Sequence, residues 1–275
     1  MNTDGPVKDP WFLPDMTWED VKAALEQTDL ALIPVGAIEQ HGPHLPLGTD
    51  YFGAFDLARA AAPQVKGVVA PVLFAGVSGH HLGFPGTLSL SQETFVAVLV
   101  ETAECLAHHG FRRIVLVNGH GGNESAMSYA AHLITKRTEA VAMLFGIGEL
   151  RKIYLTENID KLDIHAGIGE TSGVLASRPH LVKMDRARRP NLNLTAGQRR
   201  FLDEVRARPE LLPFVTVDLP PTDELSDTGA ITLLDPADAT AELGERNRSR
   251  FAQALVRFVE IWSERVEADG REVVM

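Results

Sequence analysis

The segment Glu39-Gln40-His41, followed by Asp50, brings two carboxylates and an imidazole into one short stretch of chain. If the chain is extended there, Glu39 and His41 project to the same side. A second histidine, His120, lies in Asn118-Gly119-His120-Gly121-Gly122-Asn123. His165-Ala166-Gly167-Ile168-Gly169-Glu170 adds a further histidine and carboxylate. Carboxylate oxygen and imidazole nitrogen together suit zinc, manganese or iron(II), and a lone cysteine, Cys105, excludes a thiolate-rich structural zinc site. A carboxylate that bridges can hold two ions about 3.5–4 Å apart, sharing a water that ionises near neutral pH. Any one of these histidines alone reads as a structural or surface residue. Three glycine-flanked segments of this kind are much harder to explain as packing.

These residues must be carried by something rigid, and the hydrophobic pattern says what. Leu30 to Val35 is continuously apolar, and similar runs recur at Val68 to Phe74, Ile114 to Val117 and Val141 to Phe145. Such runs mark strands buried on both faces of a parallel sheet. Helical stretches alternate with them: Phe52 to Ala62, Gln92 to His109 with Gly110 as a stop, and Glu124 to Thr135. Thr17 before Glu19 and Asp20 reads as the N-cap of an earlier helix ending near Leu25. The alternation predicts an α/β sandwich with a mostly parallel central sheet and a long C-terminal helix, Ala237 to Val266, packed across it. Ligands in such sheets bind beyond the carboxyl ends of the strands, where Glu39-Gln40-His41 and His120 both fall. One domain over residues 1–275 is expected. Residues 181–221, with Pro190, Pro209, Pro213, Pro220 and Pro221 and a helix over Ala196 to Arg206, read as an excursion covering the site or joining subunits.

Composition narrows the partners. The 275 residues are 45% hydrophobic and 23% charged, as in globular proteins. With 37 acidic against 26 basic residues the net charge is −11, which repels a phosphate backbone. The basic run Arg186, Arg188, Arg189, Arg199 and Arg200 is interrupted by Asp185, Asp203 and Glu204, so no nucleic-acid partner is expected. No apolar stretch approaches membrane-spanning length, and the N-terminus lacks the features of a signal peptide. A single cysteine fits a reducing compartment, and the flanking Leu99 and Leu106 place Cys105 in the core. A cytoplasmic enzyme without a membrane partner is the expectation. The pairs His80-His81 and His108-His109 are assigned no metal; the second falls at a helix end, where histidine stabilises the dipole.

The segments Gly36 to Asp50, Asn118 to Asn123 and His165 to Ser172 resemble the creatininase (creatinine amidohydrolase) family. So do Gly83-Phe84-Pro85-Gly86-Thr87 and Asp235-Pro236 through Gly244. The resemblance implies a three-layer α/β/α sandwich, a homo-oligomer that is often a hexamer, and two divalent ions per chain. Glu39, Asp50 and His120 would hold one ion and His41, Asp50 and Glu170 the other, with Asp50 bridging. His165 matches the family's proposed general acid, and imidazole can donate a proton near neutral pH. His44 reads as an outer residue that orients a ligand through its ring nitrogen. Ser78 matches a substrate-contacting serine, although turn chemistry explains a serine in Gly76-Val77-Ser78-Gly79 equally well. The amides of Gly121 and Gly122 can approach a substrate because no side chain intervenes; a tight strand-to-helix turn accounts for the same glycines.

Two departures bear on the substrate. Creatininase carries an aromatic residue and a glutamate where this chain has Gly121 and Gly122. It also closes its pocket with tryptophans, whereas the tryptophans here are Trp11, Trp18 and Trp262. The Asn-Gly-His-Gly-Gly-Asn version resembles relatives acting on other compounds: a formamidopyrimidine deformylase, a peptidase of mycofactocin maturation and a hydrolase of dehydro-inosose rings. The expected activity is hydrolysis of a C–N amide bond in a small, cyclic substrate by a metal-bridging hydroxide, with His165 protonating the departing nitrogen. The alternatives are opening of a cyclic polyol ketone, cleavage of a formamide or a peptide, and a non-catalytic binding protein, which the complete ligand set disfavours.

Overall fold

The computed structural model describes residues 10–146, 163–208 and 220–268. Its centre is a four-stranded, all-parallel sheet in the order β2-β1-β3-β4. The strands are β1 (Leu30–Val35), β2 (Val68–Val69), β3 (Arg113–Asn118) and β4 (Val141–Gly146). β1 and β3 run in register from Leu30 opposite Arg113 to Val35 opposite Asn118. Successive side chains on a strand face opposite ways, so each strand feeds two cores. Ala31, Ile33, Val35, Ile114 and Leu116 pack with helices α1 (Trp18–Leu25), α3 (Gln92–His108) and α4 (Glu124–Arg137). Leu30, Leu32, Val115 and Val117 pack with α2 (Thr49–Val65) and the C-terminal helix, Ala241–Ala268. Three layers result, α/β/α, as the apolar runs require.

Local chemistry sets the boundaries. Thr17 closes a capping box with Asp20 at the start of α1. Ser91 caps α3 by accepting from the Thr94 N–H, and Gly110, at φ 114°, follows its end. The C-terminal helix begins at Ala241 and not at Ala237, because Asp235 caps a separate short turn over Pro236–Asp238. Ala252, Leu255, Val256, Val259 and Trp262 are spaced along one stripe and form its buried face.

Two expectations need correction here, and one element was missed. The strand expected over Val68 to Phe74 stops at Val69 and touches the sheet again only where Leu73 bridges Val35. The Ala70 N–H reaches Leu32 O in register, but Pro34 O is then met by Leu73 N–H, one residue late. Pro34 has no N–H to donate back to this segment, so the ladder does not continue past it. Cys105 is exposed and not core: it stands on α3 away from the buried face of Phe95, Leu99, Ala103 and Leu106, which helical periodicity turns inward. A small antiparallel pair, β5 (Asp163–His165) with β6 (Ile231–Thr232), was also not read from the sequence.

After β5 come α5 (Ile168–Ser177) and, within the expected excursion, α6 (Ala196–Ala207). Thr222–Leu225 forms a single turn, α7, which makes the C-terminal helix α8. Of the excursion's prolines, Pro209 and Pro213 lie outside the described residues. No helix among the described residues is long and apolar enough to cross a membrane.

Candidate metal centre

β1 is followed through α2 by β2 on one side, and β3 through α4 by β4 on the other. The chain therefore diverges beyond the carboxyl ends of β1 and β3, the position where open α/β sheets bind ligands. Glu39 and His41 leave the end of β1, His120 leaves β3, Asp50 lies in the first turn of α2, and Glu170 in the first turn of α5. Close approach is possible because Gly119 has no side chain: a Cβ there would lie 2.5 Å from Asp50 O.

Asp50 stands between the two strand ends. Its Oδ1 is 3.1 Å from His41 Nε2, and its Oδ2 is 3.1 Å from His120 Nδ1. Glu39 Oε1 lies 3.2 Å from the same His120 Nδ1, and Glu170 Oε2 lies 3.6 Å from His41 Nε2. Every residue expected to ligate a metal is thus brought together. Glu39, Asp50 and His120 have ligating atoms close enough to share one cation, as do His41, His165 and Glu170. Glu39, His41 and Asp50 are buried, yet both Glu39 oxygens and Asp50 Oδ2 make no hydrogen bond. The imidazole nitrogens beside them lack hydrogen-bond alignment despite their proximity, whereas buried carboxylates are ordinarily satisfied. Buried carboxylate oxygens left without proton partners, converging with imidazole nitrogens, suit divalent cations.

The electrostatics describe the same balance. Burial alone would raise the Glu39 carboxyl, but His120, His81 and His165 outweigh it and hold it well below the usual carboxylate range. Burial likewise opposes charge on His41, and Asp50, Glu170 and Glu39 overcome it, raising the imidazole to about 9. His120 is raised well above its ordinary value by Glu39 and Asp50 against the same burial. His165 goes the other way: burial first, then His41, push it well below, so it is neutral at neutral pH.

His165 Nδ1 is 3.7 Å from Glu39 Oε1 and 4.0 Å from Glu170 Oε2, while its Nε2–H donates to Gln40 O at 2.7 Å. Ser78 is buried against His120, with Oγ 3.4 Å from His120 Nε2. Gly121 opens onto free space. A Cβ on Gly122, however, would sit 2.4 Å from both His120 Nε2 and Val77 O, so this backbone leaves no room for a carboxylate there. His44 does not touch a ligand through its ring: its Nε2 pairs with Thr171 Oγ1 at 2.9 Å, and burial followed by His41 lowers it to about 4. It anchors the helix carrying Glu170.

Two residues were missed. His81, read as one of an unassigned pair, is buried with Nε2 3.3 Å from Glu39 Oε1. Gln40 turns away from its neighbours and contacts both His81 and His165. Strand alternation puts Gln40 opposite Glu39 and His41, and that was the available signal. Nothing in the local sequence distinguishes His81 from His80.

A layered α/β/α protein with a buried carboxylate–imidazole cluster at its topological switch point has the architecture of a metal-dependent hydrolase. The sequence model of the Creatininase family, described as creatinine amidohydrolase, matches residues 14–259. The chain belongs to the creatininase family, an enzyme family of metal-dependent hydrolases. It is 35% identical over 244 residues to a mycofactocin precursor peptide peptidase of Mycobacterium tuberculosis, covering 84% of each chain. It is 32% identical over 182 residues to a 3-dehydro-scyllo-inosose hydrolase of Thermotoga maritima, covering 63% of this chain and 58% of that one. A creatinine amidohydrolase of Pseudomonas putida is 31% identical over 198 residues, covering 64% and 75%. Among solved structures, a manganese creatininase matches with a TM-score of 0.73 at 23% identity, covering 90% of this chain and 97% of that one. A mutant creatininase of Zn-Zn type matches with a TM-score of 0.72 at 24% identity, covering 90% and 96%. These structural likenesses establish the fold.

Proposed function

We propose that the chain is a dinuclear metal-dependent hydrolase that cleaves a C–N amide bond in a small, cyclic substrate. The observation that carries the reading is Asp50, whose two oxygens each face a different imidazole at 3.1 Å. Glu39 and His120 complete one side of this carboxylate, and His41 and Glu170 the other. Two divalent cations, zinc or manganese with iron as a further option, would polarise a carbonyl and lower the pKa of a shared water toward neutrality when bound there. The protein's own part is to hold the carboxylates in a buried, preorganised array that excludes bulk water. His165, neutral and with Nδ1 turned toward Glu39 and Glu170, can take a proton from the attacking water and return it to the leaving nitrogen. Ser78, Gly121 and Gly122 surround His120, and we assign them to the substrate side of that imidazole.

A peptide amide is the second reading, supported by the mycobacterial peptidase at 35% identity. Formamide cleavage and opening of a cyclic polyol ketone use the same centre; the Thermotoga relative favours the latter. The test is turnover of lactams, formamides, short peptides and keto-inositols by protein reconstituted with zinc and with manganese, scored for which bond breaks. Lactam turnover is expected. Exclusive ring-carbon cleavage would replace the amide reading. Absence of bound metal after reconstitution would reject the hydrolase altogether.

A further inference from the structure

Gln40 lies between Glu39 and His41 in sequence, yet it serves two other imidazoles. The amide's orientation is fixed at both ends. The Gly42 N–H donates to Oε1 at 3.0 Å, and Nε2 donates to Gly229 O at 3.0 Å. Exchanging oxygen and nitrogen would set donor against donor and acceptor against acceptor. The amide lies flat against Gly229, where a Cβ would come within 2.0 Å of Oε1 and where φ is 86°.

One amide hydrogen remains. Nε2 is 2.9 Å from His81 Nδ1 and 3.0 Å from His165 Nε2. His165 Nε2 also lies 2.7 Å from Gln40 O, and a carbonyl only accepts. That nitrogen therefore carries a hydrogen and cannot receive another. The remaining amide hydrogen goes to His81 Nδ1, beside the Thr222 hydroxyl at 2.8 Å. His81 Nδ1 thus holds its lone pair, and the ring's hydrogen is on Nε2, 3.3 Å from Glu39 Oε1.

We infer that Gln40 is a positioning residue that fixes both buried imidazoles as Nε2–H tautomers, His81 through its side-chain amide and His165 through its backbone carbonyl. The consequence separates two rings that look alike. His81 spends its lone pair on Gln40 and carries its hydrogen on Nε2, the nitrogen 3.3 Å from Glu39 Oε1, so it has no lone pair to offer a cation there and is not a metal ligand, although its position beside Glu39 and His165 would permit ligation. His165 keeps its lone pair on Nδ1, facing the carboxylates. The tautomer assignment rests on hydrogen bonding alone; its bearing on cations rests on the function proposed above.

The experiment is long-range proton–nitrogen NMR of protein labelled with nitrogen-15 in the imidazoles, in metal-free and zinc-loaded forms, with zinc affinity measured in parallel. Both His81 and His165 are expected as Nε2–H. Gln40→Glu replaces the donor with an acceptor of the same shape, so His81 should convert to the Nδ1–H or charged form while His165 is unchanged. Zinc affinity should fall roughly 10–100-fold, as when an outer partner of a ligand is lost. Should that variant not fold, Gln40→Met leaves Thr222 as the sole partner and should populate both His81 tautomers. An Nδ1–H on His81 in the unaltered protein, or a His81 tautomer unaffected by either substitution, overturns the inference. Failure to bind zinc would reject the hydrolase reading and leave the metal-free spectra to decide the tautomers.

Discussion

The residue on which most depends is Asp50, because both of its oxygens are engaged on different sides. Asp50→Ala should therefore disturb both cations, whereas Glu170→Ala should chiefly empty one, as read by elemental analysis of reconstituted protein; equal losses would argue against a bridge. His165→Asn leaves the ligand set intact, so both metals should stay while kcat falls roughly 10²–10⁴-fold, the usual share of general acid–base catalysis. A substrate whose leaving group needs no proton should recover much of that rate, and full activity in the metal-replete variant would remove His165 from the mechanism. The raised imidazoles give a pH prediction. His41, at about 9, is protonated at neutral pH without metal, and a cation must displace that proton. Zinc binding should accordingly release protons at neutral pH, and affinity should climb as pH rises toward about 9 and level off beyond it. Calorimetry in buffers of different ionisation enthalpy reads this directly, and buffer-independent heats would contradict it.

At the scale of elements, the centre depends on how α2, carrying Asp50, sits against α5, carrying Glu170. Arg178, at the end of α5, grips Asp56 of α2 through both guanidinium nitrogens, at 2.6 and 2.9 Å, and lies 4.1 Å over the Phe52 ring. Fork geometry and ring stacking suit arginine and not lysine. Arg178→Ala should cost about 1.5–3 kcal/mol in denaturant unfolding, the range for charge-assisted hydrogen bonds. It should also weaken the site holding Glu170 more than the one holding Glu39. Unchanged unfolding and unchanged metal content would mean that the apolar contacts of these helices alone set their spacing. Ala166, between His165 and Glu170, is in the left-handed region at φ 51° and donates its N–H to Glu170 Oε2 at 2.6 Å. Such backbone placement aims the carboxylate at a cost in local strain.

For the whole molecule, we expect a homo-oligomer, as the family resemblance implies. Sedimentation at micromolar concentration should show more than one chain, and a monomer would contradict it. The sheet and its two covering layers were legible in the sequence because strands buried on both faces must be apolar throughout, and helices between them must show one apolar stripe. β1 was read to the residue, and the end of α3 was marked by Gly110. The types of the carboxylates and imidazoles that the structure gathers were also legible, as were the places of Glu39, His41 and His120 just beyond strand ends, since these are properties of the chain. What the sequence could not supply was the effect of distant partners. The truncation of β2 came from a missing donor on its neighbour, Pro34. The burial of His81 beside Glu39, the space denied at Gly122 by His120 and Val77, and the hydrogen held by each imidazole all depend on groups far away in the chain. Hydrogen-bond direction and steric exclusion are fixed only when those groups meet, and only the tertiary structure decided them.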